Sequence, residues 1–348
     1  MSFKESWKRV LMVIVASFAL AVGVAACGGD DDGDGGSTGD GGTTDATLVL
    51  DFIPGAVHAG IYEAQQAGYY EDNGINLKII EPTSTADTLK LIDAGKADFG
   101  IADGIDLASQ IEEGREAKGI MALLQRPPGG LITLAEENIE TPADLAGKTV
   151  GVTGVPSDNA ILDTVMADAG SSSDEAKVVT IGFNGVQALE SGKVQAFTGF
   201  IPADGVQVEA DGYPTKSFAL DENGGPSYPG LVVFSTESKI SEDAELMKGF
   251  VEATVKGYQD ALEDPAKAID DLISQTQGID KDLATKSFEA WEPLMGEPDT
   301  FGQFDQKNLE ALSSFLVDND LASSPIAPDR YATNEFSGGD ELTGGSGE

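Results

Sequence analysis

The chain of 348 residues is poor in the side chains that carry thiol and metal chemistry. Cysteine and histidine occur once each, as Cys27 and His58, and tryptophan twice. A single cysteine excludes an internal disulfide and a cysteine-based zinc site. A single histidine leaves metal binding without the further imidazole or thiolate ligands it normally needs. Positive charge is scarce too: 21 Lys and Arg stand against 60 Asp and Glu, a formal net charge of −39. Nucleic acid and anionic membrane surfaces are poor partners for such a chain. Arginine occurs only as Arg9, Arg115, Arg126 and Arg330, so few guanidinium forks are available to hold a phosphate, nitrate or sulfonate.

The one long apolar run lies near the start. Lys4, Lys8 and Arg9 precede LMVIVASFALAVGVAA, the layout of a secretory signal over residues 1–26 and short for a membrane span. Val24-Ala25-Ala26-Cys27 matches the bacterial lipobox, so Cys27 is the expected lipidation site and the membrane a partner through that lipid. Residues 27–46 carry Gly and Asp and no apolar run, which predicts a flexible acidic tether. Residues 337–348 are similar and predict a disordered tail.

Residues 47–336 suffice for two compact units. Short apolar runs alternate with amphipathic stretches, which predicts α/β architecture. Strands are expected over 47–51, 76–80, 98–101, 119–124, 131–135, 148–152, 177–181, 195–199 and 231–235. Helices are expected to begin near Val57, Ala86, Asp106, Ser157, Asn184 and Ser241, and beyond Ser241 the chain reads as helices over 241–262, 265–276, 280–292 and 305–318. One phrase occurs twice. LIDAGKADFG at 91–100 and LESGKVQAFTG at 189–199 both read as a helix end, Gly-Lys and a strand, with Gly95 and Gly192 as left-handed helix stops. Ala102-Asp103-Gly104 follows the first copy and Ala203-Asp204-Gly205 the second. Two similar units would each deliver an Asp at a strand's carboxyl end, the edge where open α/β sheets bind ligands.

LVLDFIPGAVHAGIYEAQQAGYYEDNGINLKIIEP and LIDAGKADFGIADG resemble the substrate-binding proteins of ABC importers, and within them the branch that binds thiamine pyrimidine precursors. The likeness rests on Asp51, Phe52, Pro54, Gly55 and His58, on Gly68-Tyr69-Tyr70 and Gly74, and on ETPADLAGKTVGV and the stretch from Gly230. The branch often has Trp at Phe52 and Asn at Gly55. The resemblance implies a two-lobed periplasmic-binding-protein fold of type II with the ligand cleft between lobes. Lobe 1 would be 47–130 plus 231–336 and lobe 2 would be 131–230, with crossings near Gly130 and Gly230 and the last helices packed on lobe 1. It further implies a monomer outside the cytoplasm that hands a flat heterocycle, such as hydroxymethylpyrimidine or formylaminopyrimidine, to ABC permease subunits. Riboflavin or another flat heterocycle, and a sulfonate, nitrate or taurine, are the alternative ligands; a surface sensor lipoprotein is a further alternative. Pyrimidine synthases that resemble this branch carry a lysine and a histidine where this chain has Ala102 and Asp106, and a cysteine-rich motif it cannot have. No cofactor and no catalytic residue are therefore assigned.

Nine residues are candidates for the ligand site. Asp51 would accept ligand N–H groups or cap a turn. Phe52 would stack on a flat ring or join the core. His58 would present one ring nitrogen to the ligand or cap its own loop, and Tyr62 shares its helix face. Asp103 and Asp204 would offer a carboxylate from each lobe or cap loops; the family's second lobe often has Glu at the place of Asp204. Ser157 and Asp158 would sit at a helix N-terminus that binds acceptors or is simply capped. Tyr228 would line the hinge side of the cleft. An acidic, aromatic pocket favours a neutral or cationic donor-rich ligand over a sulfonate, whose remaining support is Arg126 and the helix start at Ser157.

Overall fold

The computed structural model describes residues 43–82 and 85–344. The expected signal, Cys27 and most of the expected tether lie outside the described residues. The first lobe is built from strand β1 (Thr44–Val49), helices α1 (Ala59–Gln66) and α2 (Tyr69–Asp72), β2 (Ile75–Ile80), α3 (Thr85–Asp93), β3 (Phe99–Asp103), α4 (Gly104–Glu112) and β4 (Ala117–Ala122). The second takes β5 (Gly129–Leu134), β6 (Thr149–Val152), α5 (Pro156–Asp168), β7 (Lys177–Thr180), α6 (Gly185–Glu190), β8 (Ala196–Phe200), α7 (Val206–Ala210) and β9 (Thr215–Ala219). The chain then returns through β10 (Leu231–Thr236) into α8 (Glu237–Glu242), α9 (Ala244–Glu263), α10 (Pro265–Gln275), α11 (Lys281–Met295), α12 (Gln306–Asp318) and α13 (Pro328–Tyr331).

Two five-stranded sheets result, in the orders β2-β1-β3-β10-β4 and β7-β6-β8-β5-β9. Each is parallel except for its fourth strand: β10 runs against β3 and β4, and β5 against β8 and β9. Those two strands are the first that the chain enters after each crossing between the lobes. The crossing segments pair where they pass, Leu123 N–H donating to the Leu231 carbonyl at 2.8 Å and Gly230 N–H to Leu124 at 3.1 Å. Strands β3 and β5 are buried along their whole length, as continuous apolar runs of a sheet covered on both faces should be. No described helix is long and apolar enough to cross a membrane.

The repeated phrase is a repeated structure. Gly95 and Gly192 have φ of 63° and 68°, and in both the following Lys N–H reaches five residues back, Lys96 to Leu91 and Lys193 to Ala188, each at 2.9 Å. This is the helix stop that a residue without Cβ permits at little cost. Three expectations need correction. Strand β1 begins at Thr44, so the tether does not reach 46. Strand β9 was not foreseen: TKSFA lies on the sheet's edge with a single buried residue, so no alternation betrays it. The tail is ordered through residue 344. Leu342 is buried, Asn334 Nδ2 donates to the Asp340 carbonyl at 2.8 Å, and Thr343 N–H donates to Gln306 Oε1 at 3.0 Å. One apolar side chain and a pair of amides fix a segment that composition alone reads as loose.

Candidate functional site

In the first lobe the chain leaves β1 and turns at Ala56–His58 before α1. Tyr258, wholly buried on α9, donates its hydroxyl to the Val57 carbonyl at 2.7 Å and pins that turn. Gly55 N–H donates to His58 Nδ1 at 3.2 Å, so the ring proton sits on Nε2, which meets Asp51 Oδ1 at 2.8 Å. Both ring nitrogens are spent within the loop, contrary to the expectation that one faces a ligand. The imidazole holds Asp51, and a second carboxylate oxygen of Asp51 stays outside that pair. Phe52, beside it, is 39 % exposed and meets Phe183 of the second lobe edge-to-face, ring centroids 4.9 Å apart. Tyr62 belongs to the apolar core instead: it is buried, and burial followed by the charge of Glu81 pushes its hydroxyl up to about 12.

Strand β3 ends at Asp103, whose Oδ1 accepts from Ile105 N–H at 2.8 Å and caps α4. One turn on, Asp106 crosses to the second lobe. Its Oδ2 accepts from Ser157 Oγ at 3.2 Å and its Oδ1 from Ser157 N–H at 3.4 Å, in the first turn of α5. The acceptor expected at that helix start is thus supplied by the protein itself. In the sequence Asp106 stands out only by its place at the related synthases' histidine and by the helix face it shares with Asp103. Its neighbour across the gap, Asp158, is tied inward: it accepts from Thr153 N–H at 2.8 Å, Gly154 N–H at 3.0 Å, Thr198 Oγ1 at 2.8 Å and the Thr153 hydroxyl. Both of its oxygens are occupied, so it caps the β6–α5 loop and does not face a ligand.

Asp204 does not end a strand. Strand β8 stops at Phe200, level with Asp103 when the two helix stops are aligned, and Asp204 lies in a π-helical turn over Ile201–Gly205. That wide turn brings its carboxylate back: Oδ2 accepts from Phe200 N–H at 2.9 Å and lies 2.6 Å from where a Cβ on Gly199 would be. Gly199 has no side chain, and the Asp204 carboxylate and the Phe197 ring fill that space. Burial raises the carboxyls of Asp103, Asp106 and Asp204. Asp103 goes well above the usual range, with Asp106 the next cause. Asp106 and Asp204 each rise to about 6, hydrogen bonds from Ser157 and Phe200 opposing and the charge of Asp158 adding. Asp158 therefore lies near both lobes' carboxylates. Tyr228 completes the group: it is wholly buried, its hydroxyl has no partner among the described residues, and after burial the charges of Asp103 and Asp106 raise it most.

The structure thus joins Asp103, Ser157, Asp158 and Tyr228 around Asp106, with Asp204 reaching the group through Asp158, while Asp51, Phe52 and His58 form a second group with Phe183. Helix α11 packs on both the 56–58 turn and the π-helical turn. Ser287 donates to the Pro202 carbonyl at 2.7 Å, and Trp291 meets Phe200 edge-to-face. So α11 reaches the second lobe, where the resemblance had put all the last helices on the first. Arg126 is paired with Asp221 at 2.7 Å and Glu222 at 3.5 Å, Arg115 with Asp93 and Arg330 with Glu237. Among the described residues no group of three or more His, Cys, Asp or Glu side chains is arranged to hold a metal ion.

The family model described as NMT1/THI5 like matches residues 56–268. The chain is 26 % identical over 293 residues to a formylaminopyrimidine-binding protein of Halalkalibacterium halodurans, covering 82 % of this chain and 89 % of that one. It is 30 % identical over 250 residues to a 4-amino-5-hydroxymethyl-2-methylpyrimidine phosphate synthase of Legionella pneumophila, covering 71 % of this chain and 79 % of the other. Among solved structures, an alkanesulfonate-binding protein of Xanthomonas axonopodis pv. citri bound to MOPS superposes with a TM-score of 0.64 at 16 % identity, over 81 % of this chain and 96 % of that one. That likeness concerns the two-lobed fold. The chain belongs to the NMT1/THI5-like family.

Proposed function

We propose that this member of the NMT1/THI5-like family is an extracytoplasmic substrate-binding protein of an ABC importer, anchored through a lipid on Cys27, whose ligand is a thiamine pyrimidine precursor. The observation that carries this reading is the approach of carboxylates from both lobes, buried Asp103 and Asp106 to buried Asp158, with half-buried Asp204 beyond it. Asp103 and Asp106 come from the first lobe, Asp204 from the second, and Tyr228 brings a hydroxyl without a partner. An aminopyrimidine offers N–H donors to such groups, and an N–H held by a charged acceptor is worth about 1.5–3 kcal/mol.

The same geometry argues against a sulfonate. Its two supports were Arg126 and the first turn of α5; the guanidinium is paired with Asp221 and the helix start with Asp106. The synthase reading suits one named relative. Against it, Ala102 and Asp106 stand where those enzymes would have their lysine and histidine, and the charges acting on Asp103, Asp106 and Asp204 are other carboxylates.

Binding would work by population shift. The Asp106–Ser157 and Phe52–Phe183 contacts exist only with the lobes together, so a ligand touching both sides favours that state by its differential affinity. A thermal-shift panel of pyrimidines, flavins, amines and sulfonates tests the reading. A pyrimidine at a hundredfold excess over its Kd adds about 2.7 kcal/mol and raises the melting point. Silent pyrimidines beside a stabilising sulfonate would end it. Expression of Cys27→Ser tests the anchor separately: the protein should leave the membrane fraction, and retention there would refute lipidation.

A further inference from the structure

The pyrimidine reading leaves open in which protonation state the ligand is held, and the surroundings of the carboxylates speak to that. Acidic and phenolic groups reach the site from both lobes, while α11, packed on the π-helical turn, brings Ser287 and Trp291. Asp103 ends β3, Asp106 stands on α4, Asp158 on α5 and Asp204 in the π-helical turn. Tyr228 precedes β10, and Tyr331 on α13 reaches the Gly104 carbonyl at 3.4 Å. Asp221, the next charge near Tyr228, is neutralised by Arg126. Asp158 is answered by four donors, whereas Asp103 has a helix cap, Asp204 one backbone N–H and Asp106 two long bonds of 3.2 and 3.4 Å. The Tyr228 hydroxyl, buried beside Asp103 and Asp106, has no partner among the described residues. Like charges so placed cannot all stay ionised in a dry site without a counter-charge.

We infer that the protein takes its ligand as a cation: a flat heterocycle with a proton on its ring, the positive charge facing Asp106 and Asp204 and Tyr228 fixing its edge. The inference rests on the pyrimidine reading for the ligand and on the carboxylate geometry for the charge. An aminopyrimidine that is neutral in solution then picks up a proton as it binds, and the ring nitrogen, not a carboxyl oxygen, carries it.

Titration calorimetry with 4-amino-5-hydroxymethyl-2-methylpyrimidine, in two buffers of different ionisation enthalpy, counts that proton. Uptake near one proton per ligand at about pH 8, with affinity falling about tenfold per pH unit above it, is expected. No exchange and flat affinity would overturn the inference while leaving the ligand reading intact. Asp106→Asn and Asp204→Asn decide where the proton sits, because Asn imitates a protonated carboxyl. A ligand cation requires each variant to lose about tenfold or more at pH 8. Affinity that holds or rises would place the proton on the protein and reject the inference. If no pyrimidine binds, the ligand reading falls, and benzamidine against its neutral isostere benzamide at about pH 8 still tests the charge. Preference for benzamidine supports the inference, and equal or reversed preference refutes it.

Discussion

Corresponding edges of the two sheets handle an aspartate in opposite ways. After β1, Asp51 is gripped through one oxygen by the His58 imidazole. After β6, the matching strand of the second sheet, Asp158 accepts from two backbone N–H groups and two hydroxyls. At the central strands the difference is one of placement: Asp103 caps α4 directly at the end of β3, whereas Asp204 is carried past the end of β8 and returned by a π-helical turn, each accepting one backbone N–H. Asp158 is consumed in shaping its own loop, while Asp51, Asp103 and Asp204 keep capacity for a guest. At the β1 and β6 edges the difference lies in the number of donors, which residue type and position do not reveal.

The largest effect should come from the aspartate with most donors. Asp158→Ala leaves buried N–H and O–H groups unanswered and should lower stability by about 2–4 kcal/mol in urea unfolding. Asp51→Ala frees only the imidazole and should cost about 1 kcal/mol. Equal losses would erase the distinction between the two edges. Next, Asp204→Ala should weaken pyrimidine binding by about tenfold or more with the fold intact, since a charged acceptor is lost; unchanged affinity by calorimetry would remove it from the site.

The response to pH reads the same carboxylates in the free protein. Asp106 and Asp204 sit at about 6 in the folded protein, above the value of about 3.9 for a free aspartate. A carboxyl raised by folding contributes stability that is full below its unfolded pKa and is lost as pH climbs to its folded one. Ligand-free protein should therefore lose stability from about pH 4 to pH 6, and Asp204→Asn should make that loss shallower. Parallel curves for the two proteins would contradict the burial of Asp204. The least effect is expected at the mouth. Phe183 is 49 % exposed, so Phe183→Ala should change stability by less than about 0.5 kcal/mol while loosening the edge-to-face contact with Phe52 and weakening binding about two- to fivefold.

Nearly all the central strands and the long C-terminal helices were legible as apolar runs and 3.6-residue periods. The glycine stops at 95 and 192 were legible as well, because a left-handed residue is a local demand. Edge strand β9 and the ordered segment 337–344 were not, since each is held by few buried side chains and by partners far away in the chain. Within the site, Asp103 and Tyr228 were found where strand ends and crossings predict them. Phe183 escaped notice, and Asp106 was read only as the residue at the synthases' histidine place, because each gains its role here from a residue on the other lobe.

What the sequence determined alone is the class of molecule: two α/β units, acidic throughout, with one imidazole beside the first strand and too few guanidinium groups for an anion site. Those follow from composition and short-range periodicity, which do not depend on how the lobes meet. Tertiary structure alone decided that His58 serves Asp51, that Asp106 seats itself on α5 and that Asp204 returns to its strand. These bonds join groups 7, 51 and 4 residues apart, and at every separation the distance of a few ångströms that makes a hydrogen bond is set only by the packed chain.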